Sequence, residues 1–172
     1  MTEAMPSTEP TPAVRFASRV LLLDESDRLL LFRADGVFTF DGVPATSLWF
    51  TPGGGREGNE SPGETALREL WEETGLRDVE LGPCVWTRNI VFTWNGNLWD
   101  ARESYFVCRV PSFELDAANW TDTERVELTE HRWWSPDEIE ASTELFVPSR
   151  LGTLLRPILR GELPDAPFEV GR

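Results

Sequence analysis

The chain has 172 residues with 40% hydrophobic and 27% charged residues, enough for one globular domain with a full core. Its formal net charge of −14 argues against general nucleic-acid binding through a basic surface, and no apolar run approaches the ~20 residues that span a bilayer. All 16 basic residues are arginine, which excludes a Schiff-base lysine and a P-loop lysine.

The amino-terminal part of the chain predicts a tail followed by strands. Residues 1–12 are polar, contain proline and lack the apolar core of a secretory signal, so they predict a disordered tail. We therefore expect a single domain over residues 13–172, a cytoplasmic location and no membrane partner. Residues 19–24 and 28–33 are apolar runs joined by a polar turn, which predicts a β-hairpin. Residues 34–47 predict a long loop of a kind that is often functional, and residues 48–51 a short strand.

A helix with clear start and stop signals follows a run of glycines. Ser61 is a natural N-cap, Pro62 suits the first helical position, and Glu64 completes a capping box. Gly75 suits the left-handed position that ends many helices. These signals predict a helix that starts after Ser61 and ends at Gly75.

Three glutamates of this helix stand at i, i+3 and i+4, so they fall on one face, where like charges repel by roughly 0.2–0.5 kcal/mol per pair. They are Glu69, Glu72 and Glu73. Hard divalent cations such as Mg²⁺ take oxygen ligands, so this cluster is a candidate metal site. The residues predicted to pack on the core, leaving the carboxylates exposed, are Leu67, Leu70 and Thr74, with Ala66 at the edge.

The middle of the chain predicts further strands. Residues 79–85 and 89–94 are predicted strands, and Asn95-Gly96 predicts a two-residue hairpin turn into a strand over residues 98–110. Residues 111–123 predict a second loop.

The last part of the chain adds a strand and helices. Residues 130–134 predict a final strand, and residues 135–138 repeat the cap, proline and acid pattern of a helix start. Residues 148–160 predict a terminal helix, weakened by Gly152 and Pro157. Strands with interspersed helices predict an α/β or α+β fold.

The stretch from Gly54 to Leu76 resembles the Nudix box, G-x5-E-x7-R-E-U-x-E-E-x-G-U, in which U is a bulky aliphatic residue. Every fixed position is present: Gly54, Glu60, Arg68, Glu69, Leu70, Glu72, Glu73, Gly75 and Leu76. The resemblance implies an α/β/α sandwich with a mixed β-sheet. It also implies Mg²⁺- or Mn²⁺-dependent hydrolysis of a small-molecule nucleotide, a nucleoside diphosphate linked to another group or a nucleoside triphosphate.

The box also implies roles for individual residues. Glu69, Glu72 and Glu73 are the expected metal ligands, and by resemblance the Gly53 carbonyl is a further one. Arg68 stands four residues before Glu72, so it is expected to hold the cluster in place, and with Glu69 and Glu73 it forms the predicted catalytic set. Glu60 is expected to act as a weaker or outer ligand. The general base is Glu69 or a glutamate outside the box: Glu103, Glu124, Glu127 or Glu130.

Substrate recognition is open from the sequence alone, because the marks of several substrate subgroups outside the box are absent. The candidates for stacking a nucleobase are Trp49, Trp94 and Trp99, although buried tryptophans are more often core residues. The candidates for phosphate contact, against the alternative of surface ion pairs, are Arg33, Arg56, Arg88 and Arg102. Cys84 and Cys108 are too far apart for a zinc pattern and are predicted to be buried reduced thiols.

Two alternatives to a hydrolase remain. The first alternative is a non-catalytic Nudix-like module that senses a nucleotide for a partner. The intact glutamates favour the enzyme over this module. An isomerase of the same fold is a weaker alternative. Many relatives are dimers, so a homodimer is a further expectation.

Overall fold

The computed structural model describes residues 11–171, so most of the predicted tail, residues 1–10, lies outside the described residues, as does Arg172. Nine strands occur in this part of the chain: β1 (Ala13–Leu23), β2 (Leu29–Phe40), β3 (Val43–Phe50), β4 (Gly53–Gly55), β5 (Cys84–Trp94), β6 (Asn97–Arg109), β7 (Leu128–Trp134), β8 (Phe146–Val147) and β9 (Phe168–Glu169). Four helices accompany them: α1 (Pro62–Thr74), α2 (Asp122–Glu127), α3 (Pro136–Ala141) and α4 (Leu151–Leu159).

All described strands join one mixed sheet in the order β4-β1-β6-β5-β2-β3-β8, with β7 paired to β2 and β9 to β5. The predicted hairpin between the first two strands is only a turn, because β1 pairs with β2 at a single position, Leu23 with Leu29. Strand β1 instead runs parallel to β6 along its whole length. The sequence gives no local signal for this pairing, because it joins residues far apart in the chain.

The loop predicted over residues 34–47 is wrong. Strands β2 and β3 form an antiparallel hairpin that turns at Asp41 and Gly42, with a register shift between Asp35 and Phe38. Both turn residues have positive φ, 48° and 77°, as a two-residue hairpin turn requires. Asp-Gly is a strong hairpin signal, but the glycine and proline residues on either side of it favour a loop.

The remaining elements lie close to their predicted positions. Helix α1 has the predicted Ser61–Glu64 capping box and ends at Gly75 with φ 78°. The Asn95-Gly96 hairpin and the helix start at Ser135 are confirmed. Residues 79–83 are not a strand, and α2 begins inside the predicted second loop.

Apolar side chains cover both faces of the sheet. Val20 and Leu22 belong to a buried cluster with Leu70 of α1. Leu21 and Leu23 belong to another cluster, with Leu155 of α4. Because successive side chains of a strand point to opposite faces, the two helices lie on opposite sides of the sheet. The predicted mixed sheet between helices is confirmed, and within residues 11–171 no helix has the length and apolar character to cross a membrane.

Candidate active site

The glycine strand β4 lies tightly against β1, which sets the entry to helix α1. Gly53 pairs with Arg19, and Gly55 pairs with Ala17. Gly53 has φ 136°, and a Cβ there would collide with the backbone of Ser18 and Arg19. The Ser18 hydroxyl donates a 2.7 Å hydrogen bond to the Pro62 carbonyl at the start of α1. Position 53 therefore admits only glycine. The Ser18 hydrogen bond holds the start of α1 against β1.

The same turn receives two carboxylates of α1. A Cβ on Gly54 would lie 2.5 Å from Oε1 of Glu69, so the bare backbone leaves room for that carboxylate. The Gly53 amide donates a 2.7 Å hydrogen bond to Oε2 of Glu73. Glu69 and Glu73 are only 8% and 4% exposed.

The exposed carboxylate face predicted for α1 is therefore wrong. Glu69 and Glu73 are buried, whereas Leu67, predicted to face the core, is 40% exposed. Ala66 and Leu70 form the packing stripe, and the two glutamates border it on the side of the glycine turn. The helical pattern places all acids in solvent, but a backbone amide that donates a hydrogen bond to a carboxylate lets that carboxylate be buried.

Arg68 joins the carboxylates to the turn. Its guanidinium donates to Oε1 of Glu60 at 2.7 Å and to one oxygen each of Glu69 and Glu72 at 3.0 Å. It also donates to the Gly55 carbonyl at 2.8 Å. The bonds from Arg68 lower the pKa of Glu60 to about 2. Arg68 thus lies at the centre of an ion-pair network, next to the metal candidates.

Three carboxylates converge beside this network. One oxygen each of Glu69, Glu73 and Glu124 lies within 4.8 Å of the other two. Glu124 lies in the first turn of α2 and is one of the general-base candidates from the sequence. Glu72, predicted as a ligand, is outside this trio and bonds Arg68 instead.

The donor set fits a hard cation. Burial, and then the nearby Glu69, raises the pKa of Glu73 well above its ordinary value. Burial also raises the pKa of Glu69, partly offset by Arg68. Buried carboxylates that repel one another are stabilised by a bound positive charge, and an all-oxygen donor set suits Mg²⁺ or Mn²⁺.

A second ion-pair network lies under the cluster. Glu103 accepts hydrogen bonds from Nε of Arg19 at 3.0 Å, Nε of Arg88 at 2.7 Å and the Tyr105 hydroxyl at 2.9 Å. Burial alone would raise the pKa of Glu103, but Arg88 and Arg19 outweigh it and lower the pKa to about 2. Arg19 also donates to the Gly53 carbonyl at 2.8 Å. A carbonyl oxygen has two lone pairs, so this bond leaves Gly53 able to bind a cation.

One cavity of about 590 Å³ is lined by the three converging carboxylates and by Arg19, Arg68 and Arg88. Its charged end carries the carboxylates of the two networks and of α2: Glu57, Glu69, Glu72, Glu73, Glu103, Glu124 and Glu127. Its other end is aromatic, with Phe38, Phe40, Phe92, Trp94 and Trp99. Phe38 stacks on Trp94 with ring centroids 5.7 Å apart, and Phe40 stacks on Phe92 at 5.3 Å. The cavity therefore combines a candidate cation site with a flat apolar wall.

The tryptophans proposed for base stacking divide between cavity and core. Trp94 and Trp99 line the cavity. Trp49 is buried against Trp134, with ring centroids 5.1 Å apart, so it is a core residue.

The arginines proposed for phosphate contact are mostly engaged elsewhere. Arg88 lines the cavity, bonded to Glu103. Arg33 lies near Asp35 and Glu130. The two that lie over the ring of Phe16 are Arg56 and Arg102.

The outer glutamates and the cysteines can also be placed. Glu127 lines the cavity, and burial raises its pKa. Glu130 is half-exposed near Arg33 and does not line the cavity. Both cysteines are unpaired as predicted; Cys108 is buried, which raises the pKa of its thiol to about 11, whereas Cys84 is only partly buried.

The sequence did not single out Arg15 or the phenylalanines of the aromatic wall. A usable signal existed in the alternation Phe38-x-Phe40 before Asp41-Gly42, and Phe92-x-Trp94 before Asn95-Gly96. Alternate residues of a strand share a face, so two hairpins with this pattern place their aromatic rings together once they pair. Arg15 and Arg19 share a face of β1 for the same reason.

Comparison with known proteins adds the following. The NUDIX domain family model matches residues 14–153. An RNA pyrophosphohydrolase of Rhizobium meliloti (strain 1021) is 50% identical over 48 residues, which are 28% of each chain, so the match spans under a third of that relative. The crystal structure of a MutT protein from Methanosarcina mazei Go1 has a TM-score of 0.59 at 20% identity, covering 89% of this chain and 98% of that one. An ADP-ribose pyrophosphatase from Streptococcus suis gives 0.55 at 20% identity, covering 92% and 100%. These two likenesses show a shared fold.

Proposed function

The chain belongs to the NUDIX domain family, and from that premise we propose that it hydrolyses a pyrophosphate bond, with Mg²⁺ or Mn²⁺ as cofactor. The substrate class is a nucleoside diphosphate linked to another group, or a nucleoside triphosphate. The observation that carries the proposal is the convergence of Glu69, Glu73 and Glu124 in a cavity with an aromatic wall. A planar base fits the wall, while a phosphoanhydride needs the cation that the carboxylates would hold.

We assign the cation to Glu69, Glu73 and Glu124, with Glu72 and the Gly53 carbonyl as further ligands. When bound, the cation polarises the phosphoryl oxygen and makes water more acidic. Glu72 has a second oxygen beyond the one that accepts from Arg68, so it can bind without breaking that pair. Arg68 fixes the carboxylates and the Gly55 carbonyl in one arrangement, which is its proposed contribution to catalysis.

The general base takes a proton from the attacking water. Glu103 is a poor base, because Arg19 and Arg88 hold its pKa to about 2. Glu130 does not line the cavity. Of the candidates from the sequence, Glu69, Glu124 and Glu127 remain, and all three line the cavity. Burial raises the pKa of Glu69 and of Glu127.

The test is product release from a panel of substrates, each run with Mg²⁺, with Mn²⁺ and with EDTA. The panel contains ADP-ribose, NADH, dinucleoside polyphosphates, nucleotide sugars, nucleoside triphosphates and a short RNA with a 5′-triphosphate. ADP-ribose and RNA are included in the panel because two of the similar proteins are named as pyrophosphatases of these compounds. EDTA-sensitive cleavage of one class supports the hydrolase and names its substrate.

A nucleotide-sensing module is the second candidate function. It is favoured if no member of the panel is cleaved while nucleotide binding is measurable. The aromatic wall, with Phe38 stacked on Trp94, would serve either function, whereas the convergence of the buried Glu69 and Glu73 with Glu124 favours the hydrolase.

Three further expectations remain proposals: one domain over residues 13–172, a cytoplasmic location, and a homodimer. Light scattering on the purified protein would decide the oligomeric state, and limited proteolysis the domain extent.

A further inference from the structure

Arg15 differs from the other arginines in the described part of the chain. Within residues 11–171 its side chain takes part in no hydrogen bond and no ion pair, which is otherwise true only of the side chains of Arg56, Arg77 and Arg150. Those three side chains are exposed, whereas Arg15 is partly buried and lines the cavity. Its N–H donors therefore face the space in which a substrate would lie.

Trp99 and Gly55 fix the position of this guanidinium. Its Cζ lies 5.7 Å from the centroid of the Trp99 ring, in a cation–π contact. A Cβ on Gly55 would lie 3.0 Å from Nε of Arg15, so the side chain runs directly past the glycine strand. Stacking holds the face of a guanidinium and leaves the donors in its plane available.

The surroundings of Arg15 are acidic, yet no carboxylate pairs with it. The nearby Arg19 repels it, whereas Glu69, Glu103 and Glu127 attract it electrostatically. None of them comes within the 4.0 Å that defines an ion pair. Glu69 and Glu103 are already bonded to other arginines. A partly buried guanidinium with unmet donors suits an oxyanion, which it can bind through two parallel hydrogen bonds.

Strand register places Arg15 between the two ends of the cavity. Trp99 pairs with Phe92 of the aromatic wall on one side. On the other side of β6, Arg15 pairs with Ala101, and β1 in turn pairs with the glycine strand that carries Gly55. A base on the aromatic wall and a phosphoanhydride at the carboxylates would be joined by a phosphate at this point.

We propose that Arg15, held by Trp99, binds the phosphate that directly bears the nucleoside. The inference rests on the proposed function for the direction of the substrate. It makes Arg15 a specificity-determining residue, because it selects nucleotides over nucleosides before any bond is broken.

The test compares the affinities of AMP and adenosine, and of GMP and guanosine, by NMR titration in EDTA. The wild type is compared with Arg15→Ala, Arg15→Lys and Arg102→Ala. Arg102 is the matched control, because it also lies over an aromatic ring, 5.9 Å from the centroid of Phe16, and its loss changes the net charge equally. It is next in sequence to Ala101, the partner of Arg15, and therefore points to the other face of the sheet.

We expect Arg15→Ala to weaken monophosphate binding about 10- to 100-fold, the range of a charge-assisted hydrogen bond, with nucleoside binding unchanged. Arg15→Lys should recover part of the loss, because lysine keeps the charge without the planar fork. Arg102→Ala should match the wild type. Thermal unfolding of each variant checks that it is folded.

Equal monophosphate-to-nucleoside affinity ratios in the wild type and Arg15→Ala would overturn the inference, as would a wild type that does not prefer the monophosphate. The hydrolase proposal fails separately, if the wild type cleaves nothing in the panel. An Arg15-dependent preference for monophosphates in such an inactive protein would support the phosphate site while refuting the hydrolase.

Discussion

Replacement of Gly54 by alanine should disable the site and leave the fold intact. The added Cβ would lie 2.5 to 2.7 Å from the two oxygens and Cδ of Glu69, whereas even tight Cβ contacts are at least 3.0 Å apart. The carboxylate must therefore move by about 0.5 Å to reach even a tight contact and by about 0.9 Å to reach an ordinary one, a displacement of the order that costs catalysis about 100-fold. Gly54 does not have positive φ, so alanine does not strain the backbone there.

Gly63 of α1 provides the matched control. A Cβ at Gly63 meets only Cδ2 of Leu81, at 3.8 Å, which is an ordinary van der Waals contact. Gly63→Ala should therefore keep wild-type turnover and gain up to about 1 kcal/mol in the free energy of unfolding, since alanine is the better helix former.

The assay has three readouts: turnover on the best panel substrate, Mn²⁺ affinity by titration calorimetry, and the midpoint of thermal unfolding. Gly54→Ala should lose about 100-fold in turnover and also lose Mn²⁺ affinity, with a midpoint within a few degrees of the wild type. Wild-type turnover and Mn²⁺ affinity in a folded Gly54→Ala protein would refute the idea that the bare backbone positions Glu69 for the cation.

Three other substitutions separate stability from catalysis. Glu103→Gln should lower the free energy of unfolding by about 3 to 5 kcal/mol in urea denaturation, because it leaves the buried Arg88 and the partly buried Arg19 without their counter-charge. Since the folded-state pKa of Glu103 is lowered to about 2, this loss should be complete above about pH 5 and should shrink as the pH falls towards 2. Glu73→Gln should reduce turnover about 100-fold or more, yet unfold in EDTA at an equal or higher temperature at pH 7, because burial raises the pKa of Glu73 and makes its ionised form unfavourable. That stability gain should disappear at low pH, where the carboxyl group is protonated in both states. Glu127→Gln should remove the acid limb of the pH–rate profile if Glu127 is the general base, whereas Glu130→Gln should behave as the wild type; an unchanged acid limb in Glu127→Gln would leave Glu69 or Glu124 as the base.

The parts of the fold that the sequence predicts well are those with local chemical signals. The capping box of Ser61 and Glu64, the terminal Gly75 and the Asn95-Gly96 turn each fix backbone groups within a few residues. The β2–β3 hairpin had such a signal too, at Asp41-Gly42, but the mixed composition around it favoured a loop. The parallel pairing of β1 and β6 has no local signal, because it depends on contacts between distant segments.

The site was predictable in its residue types and not in its burial. The spacing of Glu69, Glu72 and Glu73 predicts that they share one face of α1. The helical spacing of the apolar residues predicts that this face is exposed to solvent. The structure buries two of the three because the Gly53 amide donates a hydrogen bond to Glu73 and the bare Gly54 makes room for Glu69. Glu124 joins them from α2, a helix with no buried residues that lies far along the chain, and no sequence spacing relates the two helices.

The charges in the cavity suggest an order for binding. Arg19 and Arg88 are engaged by Glu103, and Arg68 is engaged by the carboxylates around it, so of the arginines that line the cavity only Arg15 has a side chain with no hydrogen bond or ion pair. The lining holds these four arginines and seven glutamates, so carboxylates outnumber guanidinium groups. A phosphoanhydride at the carboxylates is therefore repelled until a divalent cation reverses the local field, whereas the phosphate proposed for Arg15 lies beside a positive charge. The cation and the nucleotide should therefore bind with positive coupling, and because such coupling is reciprocal, a bound nucleotide should raise the affinity for Mn²⁺ by the same factor.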